Sequence, residues 1–169
     1  MPAFLTPEQK TLAEEIATLL GSRGETIAVA ETTAGGLVSA ALLWVPGASR
    51  YYRGGGVLYT RASRIALAGQ PAEEYANYQG TTPALLTSLA DAMRERLDAS
   101  WCIAEGGMAG PTSGRSGAPP GRTTIAVVGP VRRTEVMETG LADREENMSE
   151  FTTLTLRFLR DAIRSAAAT

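Results

Sequence analysis

The 169-residue sequence contains no histidine, a single lysine and a single cysteine. Without histidine, Ser-His-Asp and Cys-His catalysis and the ordinary zinc sites are excluded. A general base would have to be Lys, Asp, Glu, Tyr or a terminal amine. Lys10 falls in the first turn of a predicted helix, where we expect a solvated charge. Cys102 lies in the apolar run 101–104, so we expect a buried, unreactive thiol with no intrachain disulfide.

The sequence also lacks long apolar runs and an excess of either charge. No apolar run reaches the roughly 18 to 20 residues that cross a bilayer, and the beginning of the chain resembles a capped helix more than a signal peptide. The net charge is −2. We therefore expect a cytoplasmic protein that binds neither nucleic acid nor membranes. Walker and G-x-G-x-x-G motifs are absent, which argues against those two nucleotide-binding classes. We expect no cofactor and no metal, and the partner is predicted to be a small molecule or a protein.

The pattern of apolar residues predicts alternating helices and strands. A content of 44% hydrophobic residues over this length suits one domain, covering residues 1–169. Helices are predicted from Pro7 to Gly24, over 37–44 and 61–68, from Pro83, and from about Asp143; strands are predicted over 27–30, near 57–60 after Gly54–Gly56, over 101–105, and as a hairpin of 123–130 with 132–139. We predict a three-layer α/β/α sandwich with a mixed, mostly parallel sheet.

Two glycine-rich loops each follow a predicted strand. The strand at 27–30 leads into Glu31, Thr32 and Thr33 before a Gly-Gly turn, and the next helix begins there with unpaired N–H groups that suit an anion or a carbonyl. The same glycines are equally typical of a simple tight turn. Loop 106–122 has six glycines and three prolines, which predict no regular structure, a source of N–H donors, and arginines for a phosphate. We expect both loops at one edge of the sheet.

A set of short motifs resembles the CinA C-terminal domain family over nearly the whole chain. The motifs are A-E-T-T-A-G-G at 30–36, Val57-x-Tyr59 before an arginine-bearing helix, G-M-A-G-P at 107–111 with Gly121, and Asp143-Arg144. Members of this family include nicotinamide mononucleotide deamidases, which hydrolyse the carboxamide to the nicotinate nucleotide and ammonia. The resemblance also implies a homo-oligomer. Family members often carry a further N-terminal domain, which we do not expect in this chain.

Four positions depart from the family pattern. The family has a nucleophilic serine where Thr32 stands, a basic lysine where Arg64 stands, and threonines in place of Ala34 and Gly106. Thr32 keeps a hydroxyl but has a restricted χ1 angle. A guanidinium stays protonated at neutral pH and cannot accept a proton, whereas general-base help is typically worth ~10²–10⁴-fold in rate. Arg64 is instead suited to binding a phosphate or carboxylate.

The sequence is compatible with two functions. The favoured prediction is a protein that binds a nucleotide or small anion, with weak or no deamidase activity. The alternative is an active amidohydrolase with Thr32 or Thr33 as nucleophile, Tyr59 or Glu31 assisting, and N–H groups near Gly107 to Gly110 stabilising the oxyanion. The predicted catalytic positions are Thr32, Thr33, Tyr59 and Arg64. The predicted substrate-binding positions are Glu31, Gly35, Gly36, Gly107, Ala109, Gly110 and Arg144.

Overall fold

Five strands and five α-helices make up the fold in the computed structural model, which describes residues 3–166. The strands are β1 (Ile27–Glu31), β2 (Tyr52–Val57), β3 (Trp101–Met108), β4 (Arg122–Val128) and β5 (Arg133–Glu138). The helices are α1 (Pro7–Arg23), α2 (Leu37–Trp44), α3 (Arg61–Ala68), α4 (Pro83–Arg96) and α5 (Arg144–Ala166). Residues 1–2 and 167–169 of the predicted domain lie outside the described range.

One mixed sheet joins all five strands in the order β2-β1-β3-β4-β5. β1 pairs in parallel with β2 and β3, whereas β3 with β4 and β4 with β5 pair antiparallel. Four of the five strands therefore run in the same direction, and β4 is the exception. The predicted α/β fold with a mixed sheet and a late hairpin is confirmed.

Helices cover both faces of the sheet because side chains alternate along each strand. In β1, Ile27 and Val29 point into a core shared with α1, α2 and α5, whereas Ala28 and Ala30 point into a core shared with α4. This alternation produces the predicted three layers. Cys102 is fully buried in the α4-side core, as expected, and its burial raises the pKa of the thiol.

The helix boundaries follow the predicted capping signals. Thr6 and Gln9 form a reciprocal capping box at the start of α1, and Gly24 closes that helix in the left-handed conformation. Thr82 caps α4, and Gly69 closes α3. Within residues 3–166 we find no helix both long and apolar enough to cross a membrane.

Two glycine-rich segments were wrongly predicted. Gly54–Gly56 lie inside β2 and not at its entry, and a Cβ on Gly55 would lie 2.7 Å from the carbonyl oxygen of Val29, so the close strand pairing itself requires a glycine. Gly106, Gly107 and Met108 continue β3, because each pairs with a residue of β4. The irregular loop therefore begins after Met108. These three residues bring β3 up to the level of the turn that follows β1.

Candidate functional site

A cleft of about 910 Å³ opens where β1 and β3 end, on the side of the sheet that α3 and α4 cover. Its floor contains Thr32, Thr33, Gly106 and Gly107, and its walls come from α3, the 74–82 segment and the 114–119 loop. The two predicted loops therefore meet at one edge of the sheet. The charged residues among its lining are Arg61, Arg64, Arg115, Arg122 and Glu74, an excess of positive charge.

The N-terminus of α2 is closed by a side chain of the protein itself. The Glu31 carboxylate is 1% exposed and accepts hydrogen bonds from the backbone N–H groups of Gly36, Val38 and Ser39, at 2.9, 3.0 and 2.7 Å. The carboxylate thus satisfies the free N–H groups and the positive end of the helix dipole. The expectation of unpaired N–H groups at this helix start is wrong. Glu31 lies behind the turn and shapes it.

The two threonine hydroxyls form a short chain on the cleft floor. The Thr33 hydroxyl donates to the carbonyl of Gly107 at 3.1 Å and accepts the Gly107 N–H at 2.7 Å. Because its only proton is used in that bond, the Thr32 hydroxyl, 3.1 Å away, donates to Thr33. Thr33 therefore ties β3 to the turn, and Thr32 keeps free lone pairs. The Gly107 N–H is already bonded to Thr33.

Glu105 is a buried acid that the sequence analysis missed. It lies on β3 opposite the turn, is 1% exposed, and accepts the Ala34 N–H at 2.8 Å and the Thr123 hydroxyl at 3.1 Å. Its burial, with a smaller contribution from the neighbouring Glu31 carboxylate, raises the pKa of Glu105 to about 6. A charged residue at the end of the apolar run 101–104 was the available signal. Glu105 stabilises the 32–34 turn by accepting hydrogen bonds from its backbone, and it does not line the cleft.

Arg64 is buried in the wall of the cleft. It is 3% exposed; its Nε–H donates to the Leu58 carbonyl at 3.1 Å and its Nη1 donates to the Tyr78 hydroxyl at 3.4 Å. The guanidinium carbon lies 6.0 and 5.5 Å from the ring centroids of Tyr75 and Tyr78. Two aromatic rings and a carbonyl thus fix the orientation of the guanidinium.

Thr81 takes up the space beside Gly106. A Cβ built on Gly106 would lie 3.0 Å from Thr32 Oγ1 and 3.2 Å from both γ atoms of Thr81. The Thr81 hydroxyl also lies 3.3 Å from the Tyr78 hydroxyl. A threonine from the 74–82 segment therefore brings a hydroxyl to the region where the family pattern has the side chain of residue 106.

Behind the cleft, the start of α5 holds the loop that follows β3. Arg144 donates to the Gly110 carbonyl at 2.9 Å and to the Tyr59 hydroxyl at 3.3 Å. The fully buried Asn147 donates to the Ala109 carbonyl at 2.8 Å. Sequence reasoning gave no role to Asn147, although it is a polar residue on the buried face of a predicted helix.

The structure thus separates the predicted site residues into two groups. Thr32, Thr33, Tyr59, Arg64 and Gly107 line the cleft. The others support it from outside its lining: Glu31, Gly35, Gly36, Ala109, Gly110 and Arg144. Among residues 3–166, no group of three or more metal-binding side chains is present.

Comparisons with known proteins agree with this architecture. The sequence model described as CinA C-terminal domain matches residues 9–163. A CinA-like protein of Prochlorococcus marinus (strain MIT 9313) is 39% identical over 123 residues, which cover 73% of this chain and 29% of that protein. A CinA-like protein of Anaeromyxobacter sp. (strain K) is 33% identical over 153 residues, covering 90% of this chain and 38% of that protein. The chain thus spans about a third of the length of these relatives.

The fold is also found in a solved structure. A competence/damage inducible protein from Agrobacterium tumefaciens superposes with a TM-score of 0.88 at 24% sequence identity, covering 96% of this chain and 99% of that one. At this identity the likeness establishes the fold alone. Together, the family match over residues 9–163 and the relatives more than 30% identical establish that the chain belongs to the CinA C-terminal domain family.

Proposed function

We propose that the cleft binds a small anionic ligand of the nucleotide class and hydrolyses a carboxamide weakly or not at all. The cleft volume of about 910 Å³ suits such a ligand, since small-molecule sites typically measure roughly 300 to 1,000 Å³. Four arginines against one glutamate favour negative charge. The buried Arg64 carries the proposal, because its charge faces the cleft at the position where active relatives are expected to have a lysine base.

The surroundings of Thr32 argue against efficient turnover. A hydroxyl nucleophile needs a proton acceptor within about 2.6 to 3.2 Å. The hydroxyl of Thr32 donates to the hydroxyl of Thr33, which in turn donates to the Gly107 carbonyl. This series of hydrogen bonds therefore ends at a backbone carbonyl, a group that does not accept protons at neutral pH. Arg64 cannot accept a proton. The Glu31 carboxylate is fully engaged at the start of α2.

Tyr59 is poorly placed to replace the missing base. Tyr59 is 57% exposed to solvent, and its hydroxyl accepts a hydrogen bond from Arg144. A phenol in contact with water and a guanidinium has no preferred proton path to Thr32. General-base assistance is typically worth ~10²–10⁴-fold, so we expect the loss to lower turnover by a similar factor.

Titration calorimetry against pyridine and adenine nucleotides, combined with an ammonia-release assay, tests the proposal. We expect heat of binding for at least one nucleotide and no ammonia above background. Absence of binding to every nucleotide would contradict the proposal. Ammonia release that is abolished by Thr32→Ala would instead establish the alternative, an amidohydrolase with a threonine nucleophile. The observation that favours this alternative is that the Thr32 hydroxyl lies on the cleft floor with lone pairs that make no hydrogen bond.

A double substitution tests whether low turnover is caused by the residues at positions 32 and 64 or by the shape of the rest of the cleft. Thr32→Ser with Arg64→Lys supplies an unrestricted hydroxyl and a group that is able to lose a proton. We expect ammonia release from nicotinamide mononucleotide to rise at least tenfold, roughly the lower part of the general-base range. The matched control is Thr32→Ser alone, which supplies no base and is expected to stay near the unmodified protein.

A further inference from the structure

Arg64 presents unused hydrogen-bond donors to the cleft. A guanidinium has five N–H donors. One is bonded to the Leu58 carbonyl, one to the Tyr78 hydroxyl and one is shared with the Tyr75 hydroxyl, so two have no partner among the described residues. None of the ion pairs within residues 3–166 includes Arg64. A 97% buried cation without a carboxylate partner is unusual, because burying an unpaired charge is costly.

Hydroxyl groups continue from Arg64 to the cleft floor. The Tyr78 hydroxyl lies 3.4 Å from Arg64 Nη1 and 3.3 Å from Thr81 Oγ1. The hydroxyls of Thr81 and Thr32 both lie within 3.2 Å of the point where a Cβ of residue 106 would be. Because residue 106 is glycine, it places no side chain of its own between these hydroxyls. A guanidinium edge and rotatable hydroxyls therefore border the same part of the cleft.

This arrangement distinguishes an acid from its amide. A carboxylate has two oxygens that accept a bidentate pair of bonds from a guanidinium, and such charge-assisted bonds are about twice as strong as neutral ones. A carboxamide offers one oxygen, so the second guanidinium N–H would face an NH₂ group that cannot accept its hydrogen bond, which leaves that donor unpaired. The neutral amide also fails to compensate the buried positive charge.

We propose that Arg64, with the hydroxyls of Tyr78 and Thr81 beside it, makes the cleft select a ligand carrying a carboxylate over the corresponding carboxamide. The inference rests on the proposed function, ligand binding in this cleft. It assigns a nucleotide that carries a carboxylate as the preferred ligand, and an acid and amide pair of pyridine nucleotides serves as the probe. A charge-assisted bond of this kind corresponds to a preference of about 10- to 100-fold.

Calorimetry with nicotinate mononucleotide and nicotinamide mononucleotide tests the selection, since the two differ only in this group. We expect the acid to bind at least about tenfold more tightly, and Arg64→Gln to reduce that ratio to near one. Arg61→Gln is the matched control, because Arg61 lies on the same helix, lines the cleft and is exposed. It makes the same change in net charge and should lower both affinities equally, leaving the ratio intact.

The outcomes separate this inference from the proposed function. Equal affinity of the two nucleotides for the unmodified protein would overturn the selection and leave nucleotide binding standing. Binding of neither would overturn both. An equal loss of affinity for both nucleotides in Arg64→Gln would assign the guanidinium to the phosphate and overturn the carboxylate assignment.

Further variants keep the test decisive if Arg64→Gln does not fold. Arg64→Lys keeps the charge and loses the planar fork, so the preference should fall but stay above one. Thr81→Val keeps the shape and removes the hydroxyl, so the preference should fall about two- to fivefold, the value of a neutral hydrogen bond. An unchanged ratio in both variants would contradict the proposal.

Discussion

Glu31 at the end of β1 and Glu105 on the neighbouring strand β3 are two buried carboxylates close to each other. Backbone N–H groups of the 32–34 turn and of α2 surround them, and no arginine or lysine pairs with either in the described residues. Burial raises the pKa of Glu105 from its ordinary value of 4.5 to about 6. The folded protein therefore binds this proton more tightly than the unfolded chain does.

Glu105→Gln should change how stability depends on pH. Because the pKa of Glu105 is raised, its contribution to the free energy of unfolding is greatest below pH 4.5. This contribution is lost as the pH rises through 6, a loss of about 2 kcal/mol. Glutamine stays neutral and avoids that loss. The difference in free energy of unfolding, variant minus unmodified protein, should therefore rise by about 2 kcal/mol between pH 4.5 and 7. Urea unfolding at several pH values measures it, and a flat difference would contradict the assignment.

Gly106 and Thr81 should be energetically coupled. A Cβ on residue 106 would lie closer to Thr32 and Thr81 than side chains normally approach, so Gly106→Ala is expected to destabilise the protein by about 1 to 3 kcal/mol. In a Thr81→Ala background the loss should be smaller by at least about 0.5 kcal/mol, because two of the contacts are removed. Denaturant unfolding of the two single variants and the double variant gives the coupling.

A control separates crowding from the general effect of replacing glycine. Gly21 lies in α1 and has no atom near the Cβ position, so Gly21→Ala should stabilise the protein by about 0.5 to 1 kcal/mol. Additive changes in free energy for Gly106→Ala and Thr81→Ala would mean that Thr81 does not occupy the space of the missing side chain.

At the scale of elements, the short helix α2 depends on one acidic side chain. Its eight residues are few for a stable helix, its N-cap Gly36 has no side chain to cap it, and the Glu31 carboxylate supplies the missing acceptors. This contact joins the end of β1 to the first turn of α2. It fixes the turn on which Thr32 and Thr33 stand.

Glu31→Gln should therefore weaken the whole turn. The amide keeps one acceptor oxygen and loses the charge that complements the helix dipole, so we expect a loss of about 1 to 3 kcal/mol in the free energy of unfolding. Glu8→Gln is the matched control, since Glu8 is in the first turn of α1 but is exposed. Its effect should stay below about 1 kcal/mol. Equal effects of the two substitutions, measured by urea unfolding, would contradict the special role of Glu31.

At the scale of the molecule, the two faces of the sheet are packed differently. The α1-side core contains large residues such as Ile16, Trp101 and Leu156, whereas the α4-side core is rich in alanine. Buried alanines contribute less apolar area, and therefore less stabilisation, than large aliphatic and aromatic side chains. The cleft lies on the weaker side, and the buried residues of α3 are Arg64 and Ala68.

Hydrogen exchange should report this difference. We expect amides of α3 to open at a lower free energy than amides of α1 and α5, since local opening of α3 exposes little apolar surface. Saturation with a bound nucleotide should slow exchange in α3, because Arg64 would then be held by the ligand. Exchange of α3 at the same opening free energy as α5, or no protection by a ligand that binds, would contradict this prediction.

Much of the fold was predictable from local signals in the sequence. The capping box of Thr6 and Gln9, the Gly24 and Gly69 terminators and the hairpin after residue 122 depend on residues a few positions apart. The predicted meeting of the two loops at one edge also followed from strand direction. The segment at Gly106–Met108 was mispredicted because glycine composition is a local signal, whereas pairing with β4 is not.

The sequence by itself determined the helices, the number and order of the strands, the absence of histidine and the hydroxyl and arginine side chains of the predicted site. Only the tertiary structure decided how those side chains are used. Glu105 meets Ala34, and Thr33 meets Gly107, across more than seventy residues of chain. Burial of Arg64 and closure of α2 by Glu31 depend on how separate elements pack. Burial and long-range pairing set the charge, proton path and free donors of the cleft, and no local pattern encodes them.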